Sequence, residues 1–129
     1  LDRVDIHVQL QAVKKDKLLG EDVAEPSARV RSRVEKARSL QENRFAQGNI
    51  SCNAQMGTAQ VRKLCRFDRE ARGLMEMAIT ELGLSARSFY RILRVARTIA
   101  DLEAAKQIDA RHLSEALQYR YLDRDLWRR

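Results

Sequence analysis

The chain has 129 residues, of which 44% are hydrophobic and 33% charged, and its formal net charge is +7 at pH 7. This length supports one small domain with flanking segments, and this composition excludes a chain that is disordered throughout. Aromatic residues make up only 5%, with one proline and five glycines, which favours helices over a strand-rich sandwich. The arginine-rich positive charge indicates polyanionic partners, either nucleotide phosphates or nucleic acid, although solubility alone also explains basic surfaces.

The sequence also argues against a membrane protein and against a metal site. No apolar run approaches the length of a membrane span and no signal peptide is recognisable, so we expect no membrane partner. Cys52 and Cys65 lie in different predicted elements without metal-ligand spacing, which predicts free thiols in a reducing cytoplasm. His7 and His112 are too isolated in the sequence to indicate a zinc or catalytic site.

Residues 1–25 are predicted to form an extended arm. Apolar and polar residues alternate from Val4 to Leu10, which is typical of a strand. A single strand has no hydrogen-bonding partner of its own, so we expect it to be frayed or paired opportunistically. The following residues, to Glu25, combine lysines, Gly20 and mixed charges, which predicts a mobile linker.

A helix is predicted after Pro26, with Ser27 as the predicted N-cap. Its inner stripe is predicted to contain Val30, Val34, Ala37 and either Leu40 or Gln41, with the arginines largely outside.

Residues 43–57 have neither helical nor strand periodicity, which predicts a loop. We expect Ile50 and Met56 to anchor this loop on the core. Asn53 and Gln55 are interpreted as structural hydrogen-bonding residues, the alternative being contacts with a neighbouring subunit.

Two helices are predicted next. Thr58 is expected to cap a short helix carrying Val61, Leu64 and Cys65. Asp68 is expected to cap a longer one that ends at Gly83. The inward residues of the longer helix are predicted to be Ala71, Leu74, Met75, Ala78, Ile79 and Leu82.

The segment from Leu84 to Leu102 is the strongest amphipathic pattern in the chain. Ser85 is the predicted N-cap, and the predicted inner face comprises Phe89, Ile92, Leu93, Ala96, Ile99 and Ala100. Arg87, Arg91 and Arg94 form a row on the opposite face.

Arg87 falls in the first turn of this helix, where the macrodipole favours anions rather than cations. Together with the free backbone N–H groups it forms a candidate phosphate site; the alternative is a solvated basic face. Arg97 and Asp101 form an i, i+4 pair, so Arg97 needs no functional explanation.

Asp109 is predicted to cap the last helix. Its inner stripe is Leu113, Ala116 and Leu117, Tyr119 and Tyr121 are expected to cover its end, and residues 123–129 are interpreted as a tail. Residues 26–122 are therefore predicted to form an all-α bundle of four or five helices.

Catalytic motifs are absent from the sequence. There is no P-loop, no nucleophile elbow and no paired metal ligand, and the carboxylates of Glu76, Glu81 and Glu115 occupy ordinary polar helix positions. We therefore expect no activity from this chain alone.

Several short sequence motifs resemble those of a known family. SAR at the start of a helix is followed by RILRVARTIADL, with NAQM before it, HLSEALQYR after it and LDRVDIHV at the beginning of the chain. In this order, and over essentially the whole chain, the sequence resembles the magnesium-chelatase-like AAA+ ATPases of the YifB/ComM type. The resemblance implies the C-terminal helical lid of such a protein, with the end of the ATPase core and a linker in residues 1–25 and the Walker motifs upstream of Leu1.

The resemblance also implies roles for two arginines. SAR matches the sensor-2 motif, so Arg87 would contact the γ-phosphate of ATP, in its own subunit or in a neighbouring one. LDR matches the segment bearing the arginine finger, so Arg3 would act across the subunit interface; the alternative is a charge paired with Asp2 or Asp5. ATP and Mg²⁺ would be bound by the Walker motifs of the full-length protein, in a ring such as a hexamer, with neither expected on this fragment.

The sequence is compatible with several functions. The resemblance implies a motor on DNA, such as branch migration in recombination or competence, or a motor inserting metal into a porphyrin; ARTIADL and EALQYR resemble the first branch more. A stand-alone basic helical module that binds nucleic acid, and a purely structural interaction domain, are the alternatives.

Overall fold

The computed structural model describes residues 4–10, 12, 14–20 and 24–127. A short helix, α1 (Lys15–Leu19), precedes the bundle helices, which are α2 (Ser27–Arg44), α3 (Thr58–Leu64), α4 (Arg69–Leu82), α5 (Ala86–Leu102) and α6 (Ala110–Trp127). A 3₁₀ turn, Asn53–Gln55, separates α2 from α3. Within the described residues there is no strand, so the predicted all-α bundle is confirmed. None of the helices in this part of the chain is both long and apolar enough to cross a membrane.

Helix α5 lies at the centre of the bundle, with α2, α3 and α6 packed against it and α4 packed against α6. Ile92, Leu93, Ala96 and Ala100 are buried on its inner face, and residues 89 and 99 are half-buried at the edges. The inner face predicted from the 3.6-residue period is therefore confirmed.

Helices α4, α5 and α6 begin at the predicted caps. A side-chain oxygen of Asp68, Ser85 or Asp109 accepts a hydrogen bond from the backbone N–H three residues on, at 2.8, 3.2 and 3.2 Å. Gly83 ends α4 in the left-handed conformation, at φ 60°, and its N–H donates to the Ile79 carbonyl at 3.1 Å. These local signals position α4, α5 and α6 as the sequence predicted.

A single parallel bridge joins the segments that lead into α4 and α6. The Asp68 N–H donates to the Ile108 carbonyl at 3.1 Å, and the Ile108 N–H donates to the Arg66 carbonyl at 2.9 Å. Ile108 itself is fully buried. The bridge therefore places the first turns of α4 and α6 side by side.

The loop between α2 and α3 is anchored as predicted. Met56 is 3% exposed, and Ile50 is half-buried against the same core. Asn53 is buried, and Gln55 accepts a hydrogen bond from the Ser51 N–H at 2.8 Å. The structural interpretation of both amides is therefore confirmed.

Helix α2 differs from the prediction at its start and along its first half. Ser27 is the first helical residue rather than the cap, and Pro26 in the cap position makes no side-chain hydrogen bond. Val30 and Val34 are 40% and 45% exposed, while Ala37 and Gln41 are buried. The predicted stripe is wrong in its first half because only the second half of α2 reaches α5. Sequence periodicity indicates which face of a helix is apolar but not how far its neighbour extends.

Two smaller corrections concern α3 and α4. Thr58 is the first residue of α3, and Gly57 occupies the cap position, where its N–H donates to the Gln60 side chain at 3.0 Å. Ile79, predicted to face inward, is 41% exposed because it lies at the edge of the apolar face of α4.

Over residues 4–10 the arm forms no strand, so the strand that the alternation predicts is not formed there. It lies against the bundle, where the backbone N–H of His7 donates to the backbone carbonyl of Tyr119 at 3.0 Å. The predicted linker contains α1. The predictions for residues 1–3, 11, 13 and 21–23, and for the side chain of Tyr121, lie outside what the structure describes. At the other end, α6 continues through the predicted tail to Trp127.

Candidate functional site

The start of α5 is the candidate site, because it combines a free helix terminus with arginine side chains. The Ser85 hydroxyl accepts from the Ser88 N–H, and the first intrahelical bond runs from the Phe89 N–H to the Ser85 carbonyl at 2.9 Å. The N–H groups of Ala86 and Arg87 precede that bond and point outward from the terminus. The first turn contains no acidic residue. The positive end of the helix macrodipole is therefore not compensated locally.

Arg87 lies where the sequence predicted, exposed in the first turn of α5. It makes no hydrogen bond or ion pair with the residues that the structure describes. A guanidinium at this end of a helix costs a few tenths of a kcal/mol unless an anion approaches. The geometry is therefore suited to a phosphate, which can accept both guanidinium N–H groups and backbone N–H groups.

Helix α6 adds a second arginine to this site. The Arg120 Nη2 donates to the Ser88 hydroxyl at 3.4 Å, and Ser88 in turn lies within 3.1 Å of the Ser85 hydroxyl. The sequence did not indicate Arg120, because it lies 32 residues after Ser88 and its own helix shows no functional pattern. Only the packing of α6 on α5 brings it to the first turn.

The predicted row of arginines does not form one solvated face. The Arg91 side chain is only 14% exposed, and its Nε lies 3.8 Å from Asp5 Oδ1 on the arm. Arg94 is half-buried and donates to the Met56 carbonyl at 3.3 Å. The alternative of a solvated basic face is therefore wrong for Arg91 and Arg94, because the arm and the loop after α2 cover them. Arg87 alone keeps the exposure that was predicted for the row.

Arg3, the predicted arginine finger, lies outside the described residues, so its role stays a prediction. The first described residues after it belong to the arm, which reaches α5 at Asp5.

A buried ionic network occupies the other end of α5. Asp101 is 2% exposed and accepts from both Arg44 Nη atoms, at 2.6 and 2.9 Å, and from the Asn53 amide at 2.8 Å. Arg97, also 2% exposed, donates to Asp101 at 3.2 Å and to two carbonyls of the loop after α5. The predicted Arg97–Asp101 pair is confirmed. The hydrogen bonds of both residues go to other parts of the domain, so their role is structural.

The electrostatics of this network follow from its burial. Desolvation alone would raise the pKa of Asp101, but the hydrogen bonds from Arg44 and Asn53 and the charges of Arg44 and Arg97 outweigh it, so the pKa is lowered. The same low-dielectric surroundings raise the pKa of the nearby Cys65 thiol to about 11, against the opposing charges of the arginines. Cys65 is thus a buried free thiol that is mostly protonated at neutral pH.

His112 is also structural. It is 1% exposed; its Nδ1 accepts from the Asp109 N–H at 3.0 Å, so Nε2 donates to the Glu103 carboxylate at 2.7 Å. Among the described residues no group of His, Cys, Asp and Glu could hold a metal ion. Both cysteines are free thiols in the structure.

Comparisons with known proteins add a family to this geometry. Residues 24–120 match the family described as "Magnesium chelatase, subunit ChlI C-terminal". The chain is 38% identical over 125 residues to the competence protein ComM of Haemophilus influenzae, a match that covers 96% of the chain and 24% of that protein. It is 36% identical over 126 residues to the uncharacterized protein YifB of Escherichia coli, a match that covers 96% of the chain and 24% of that protein. An uncharacterized protein of Mycobacterium tuberculosis is 30% identical over 120 residues, a match that covers 93% of the chain and 24% of that protein. The chain thus spans about a quarter of the length of these curated relatives.

Proposed function

The chain belongs to the magnesium chelatase, subunit ChlI C-terminal family, and from this premise we propose that it is the helical lid of an AAA+ ATPase in which Arg87 contacts the γ-phosphate of ATP. The observation that carries the proposal is an exposed guanidinium, without a partner among the described residues, at the uncompensated N-terminus of the central helix. A lid needs such a group on a rigid element, so that it reaches the nucleotide in one orientation.

The chemistry expected of Arg87 is charge stabilisation. During phosphoryl transfer, negative charge is spread over the γ-phosphate oxygens, and a guanidinium held near them lowers the barrier. The rigid support comes from α5, which three other helices hold in place. ATP and Mg²⁺ would be bound by a core outside this chain.

Arg3 is proposed as the arginine finger that acts across the subunit interface of a ring. Sensor and finger would then contact the same γ-phosphate from different sides, as positive charges commonly do in such ATPases. The proposal for Arg3 is supported by the LDR sequence and the family alone.

We propose DNA as the substrate of the motor, with branch migration in recombination or competence as the process. The net charge of +7 supports a polyanionic substrate, and one relative carries the name competence protein. Insertion of a metal into a porphyrin is the alternative, which the name of the matched family favours.

The test is ATP turnover by the longer protein with Arg87→Ala. Turnover is expected to fall by roughly tenfold or more, which corresponds to about 1.4 kcal/mol of lost transition-state stabilisation. Thermal stability should stay at the parental value because the side chain is exposed.

Arg69→Ala is the matched control for this experiment. Arg69 is also exposed in the first turn of a helix, but that helix begins with the anionic cap Asp68. Its loss should leave turnover unchanged. If Arg87→Ala hydrolyses ATP at the parental rate, Arg87 is not a phosphate sensor.

Arg3→Ala is expected to lower turnover as Arg87→Ala does. Mixing Arg3→Ala subunits with subunits that carry Arg3 but lack Walker function should restore part of the activity. Mixed rings that stay inactive would contradict action across the interface. The same mixing experiment with Arg87→Ala distinguishes action within one subunit from action between subunits.

Helix α2 favours a second candidate function, nucleic-acid binding by the domain itself. Its sequence has six basic and two acidic residues, and every residue from 27 to 36 is exposed. Arg33 is held by Glu25 at the end of the arm, but Arg29 and Arg31 are exposed on the same projecting half. Binding of this chain to duplex DNA that weakens with salt, and that weakens further with Arg29→Ala and Arg31→Ala, would support this function. Parental affinity in those variants would exclude α2 as the binding surface.

A further inference from the structure

The arm makes polar contacts with two helices at one place. The His7 N–H donates to the Tyr119 carbonyl on α6 at 3.0 Å, and Asp5 Oδ1 lies 3.8 Å from Arg91 Nε on α5. A groove of about 400 Å³ between the arm and these helices is lined by Ile6 and Val8 from the arm. Residues 4–10 are therefore held on the lid by one ion pair, one backbone hydrogen bond and limited apolar contact.

Arg91 depends on the arm for its charge partner. Its side chain is only 14% exposed, and its Nη1 is buried without a hydrogen-bond partner in the part of the chain that the structure describes. Among the described residues, Asp5 provides the carboxylate within 4.0 Å of this guanidinium. Because the Arg91 guanidinium is largely covered while Asp5 is 51% exposed, losing this carboxylate is modestly unfavourable, and the position of the arm and the charge environment of Arg91 are linked.

Along the chain, each residue of this ion pair is close to one of the two arginines of the proposed function. Arg91 follows Arg87 by one turn on the same rigid helix, a rise of about 6 Å. Asp5 follows Arg3 by two residues along the chain. A bond between Asp5 and Arg91 therefore ties the segment that carries Arg3 to the helix that carries Arg87.

We infer that Asp5 and Arg91 are positioning residues, which hold the arm against α5 and thereby fix the segment carrying Arg3 relative to the helix carrying Arg87. The inference rests on the proposed function for its consequence in ATP hydrolysis, but the ion pair itself is testable without ATP. Neither residue needs to touch the nucleotide. Their loss should leave ATP binding intact and disturb the placement of Arg3 at the γ-phosphate of the neighbouring subunit.

The first experiment measures the attachment of the arm in this chain, by NMR-detected amide hydrogen exchange at the His7 N–H. Asp5→Asn should accelerate exchange by roughly two- to fivefold, the range expected for a partly exposed ion pair. Arg91→Gln should have a similar effect, and the double variant should add little, since both remove one interaction. Asp5→Glu, which keeps the carboxylate, should restore slow exchange.

Glu76→Gln is the matched control. It removes the carboxylate of an exposed pair with Arg72 on α4, at 3.5 Å, away from the arm. Exchange at His7 should then stay at the parental rate. Parental exchange in Asp5→Asn would overturn the inference, whatever the ATPase assays give.

The second experiment measures ATP hydrolysis by the longer protein. Asp5→Asn should lower kcat by roughly threefold or more with the KM for ATP unchanged, and Asp5→Glu should restore kcat, because only the transition state loses contacts. If Arg87→Ala lowers turnover but Asp5→Asn does not, the inference fails and the proposed function stands. If Arg87→Ala has no effect, the proposed function fails together with the catalytic consequence, while the exchange experiment still decides the ion pair.

Discussion

Replacing Asp101 by Asn should be among the most destabilising single changes in the domain. Five N–H donors converge on this carboxylate: Oδ1 faces Arg44 Nη2 at 2.6 Å and Arg97 Nε and Nη2 at 3.2 and 3.1 Å. Oδ2 faces Arg44 Nη1 at 2.9 Å and the Asn53 amide at 2.8 Å. An asparagine has the same shape, but its NH₂ group would point donor hydrogens at these donors.

The magnitude follows from burial. Arg97 is 2% exposed and Arg44 has a side-chain exposure of 18%, so neither can regain full hydration when the carboxylate is removed. Breaking a buried pair in this way costs about 3–5 kcal/mol. For a domain of this size, ~1 kcal/mol shifts the thermal midpoint by roughly 4–8 °C, so the midpoint of Asp101→Asn should fall by about 12 °C or more.

The assay is thermal and urea unfolding followed by circular dichroism, with Glu76→Gln as the control. Glu76 loses only an exposed i, i+4 pair with Arg72, which should cost less than about 1 kcal/mol. The reasoning is refuted if the two variants unfold at similar temperatures.

A pH series provides a second check on the same network. The pKa of Asp101 is lowered in the folded state, so its contribution to stability is complete above the unfolded value, near 3.9, and is lost as the pH falls through the lower folded value. The parental chain should therefore lose this contribution progressively below about pH 4. Asp101→Asn should show a shallower loss, and an equally steep one would assign the acid sensitivity to other carboxylates.

Three further outcomes are expected. Ile92→Ala should cost about 2–5 kcal/mol in thermal unfolding because Ile92 is fully buried, and Ile99→Ala should cost clearly less because Ile99 is half-buried; equal losses would mean that α5 is rotated. At pH 8, iodoacetamide should modify Cys52, which is half-buried, at least about tenfold faster than Cys65, whose burial raises its pKa to about 11; similar rates in the folded chain would contradict the buried position. Gly83→Ala should cost about 1–2 kcal/mol, measured by urea unfolding, because φ is 60° there; a neutral result would mean that α4 ends differently.

Much of the fold could be predicted from the sequence because its determinants are local. The caps Asp68, Ser85 and Asp109 act on N–H groups three residues away, and Gly83 acts on its own backbone conformation. The apolar face of α5 is a property of its own 3.6-residue period. The family was predictable too, because it is carried by short stretches of sequence.

For the candidate site, the sequence alone determined the position of Arg87 in the first turn of α5, since Ser85 and Gly83 define where that helix begins. Tertiary structure decided which side chains of other elements surround it. Arg120 reaches Ser88 because α6 packs on α5, and Arg91 is covered because the arm crosses it. None of these contacts leaves a local pattern, since the partners are separated by tens of residues.

The same distinction explains the errors in α2 and the unforeseen network at Asp101. Val30 and Val34 continue an apolar stripe, but burial depends on whether a neighbouring helix extends that far. Asp101 and Arg44 are 57 residues apart, so only the packing of α2 on α5 reveals that the predicted i, i+4 pair of Arg97 and Asp101 belongs to a larger buried network. The sequence determines local conformation through interactions within a few residues, whereas burial and long-range pairing are decided by which surfaces the completed fold brings together.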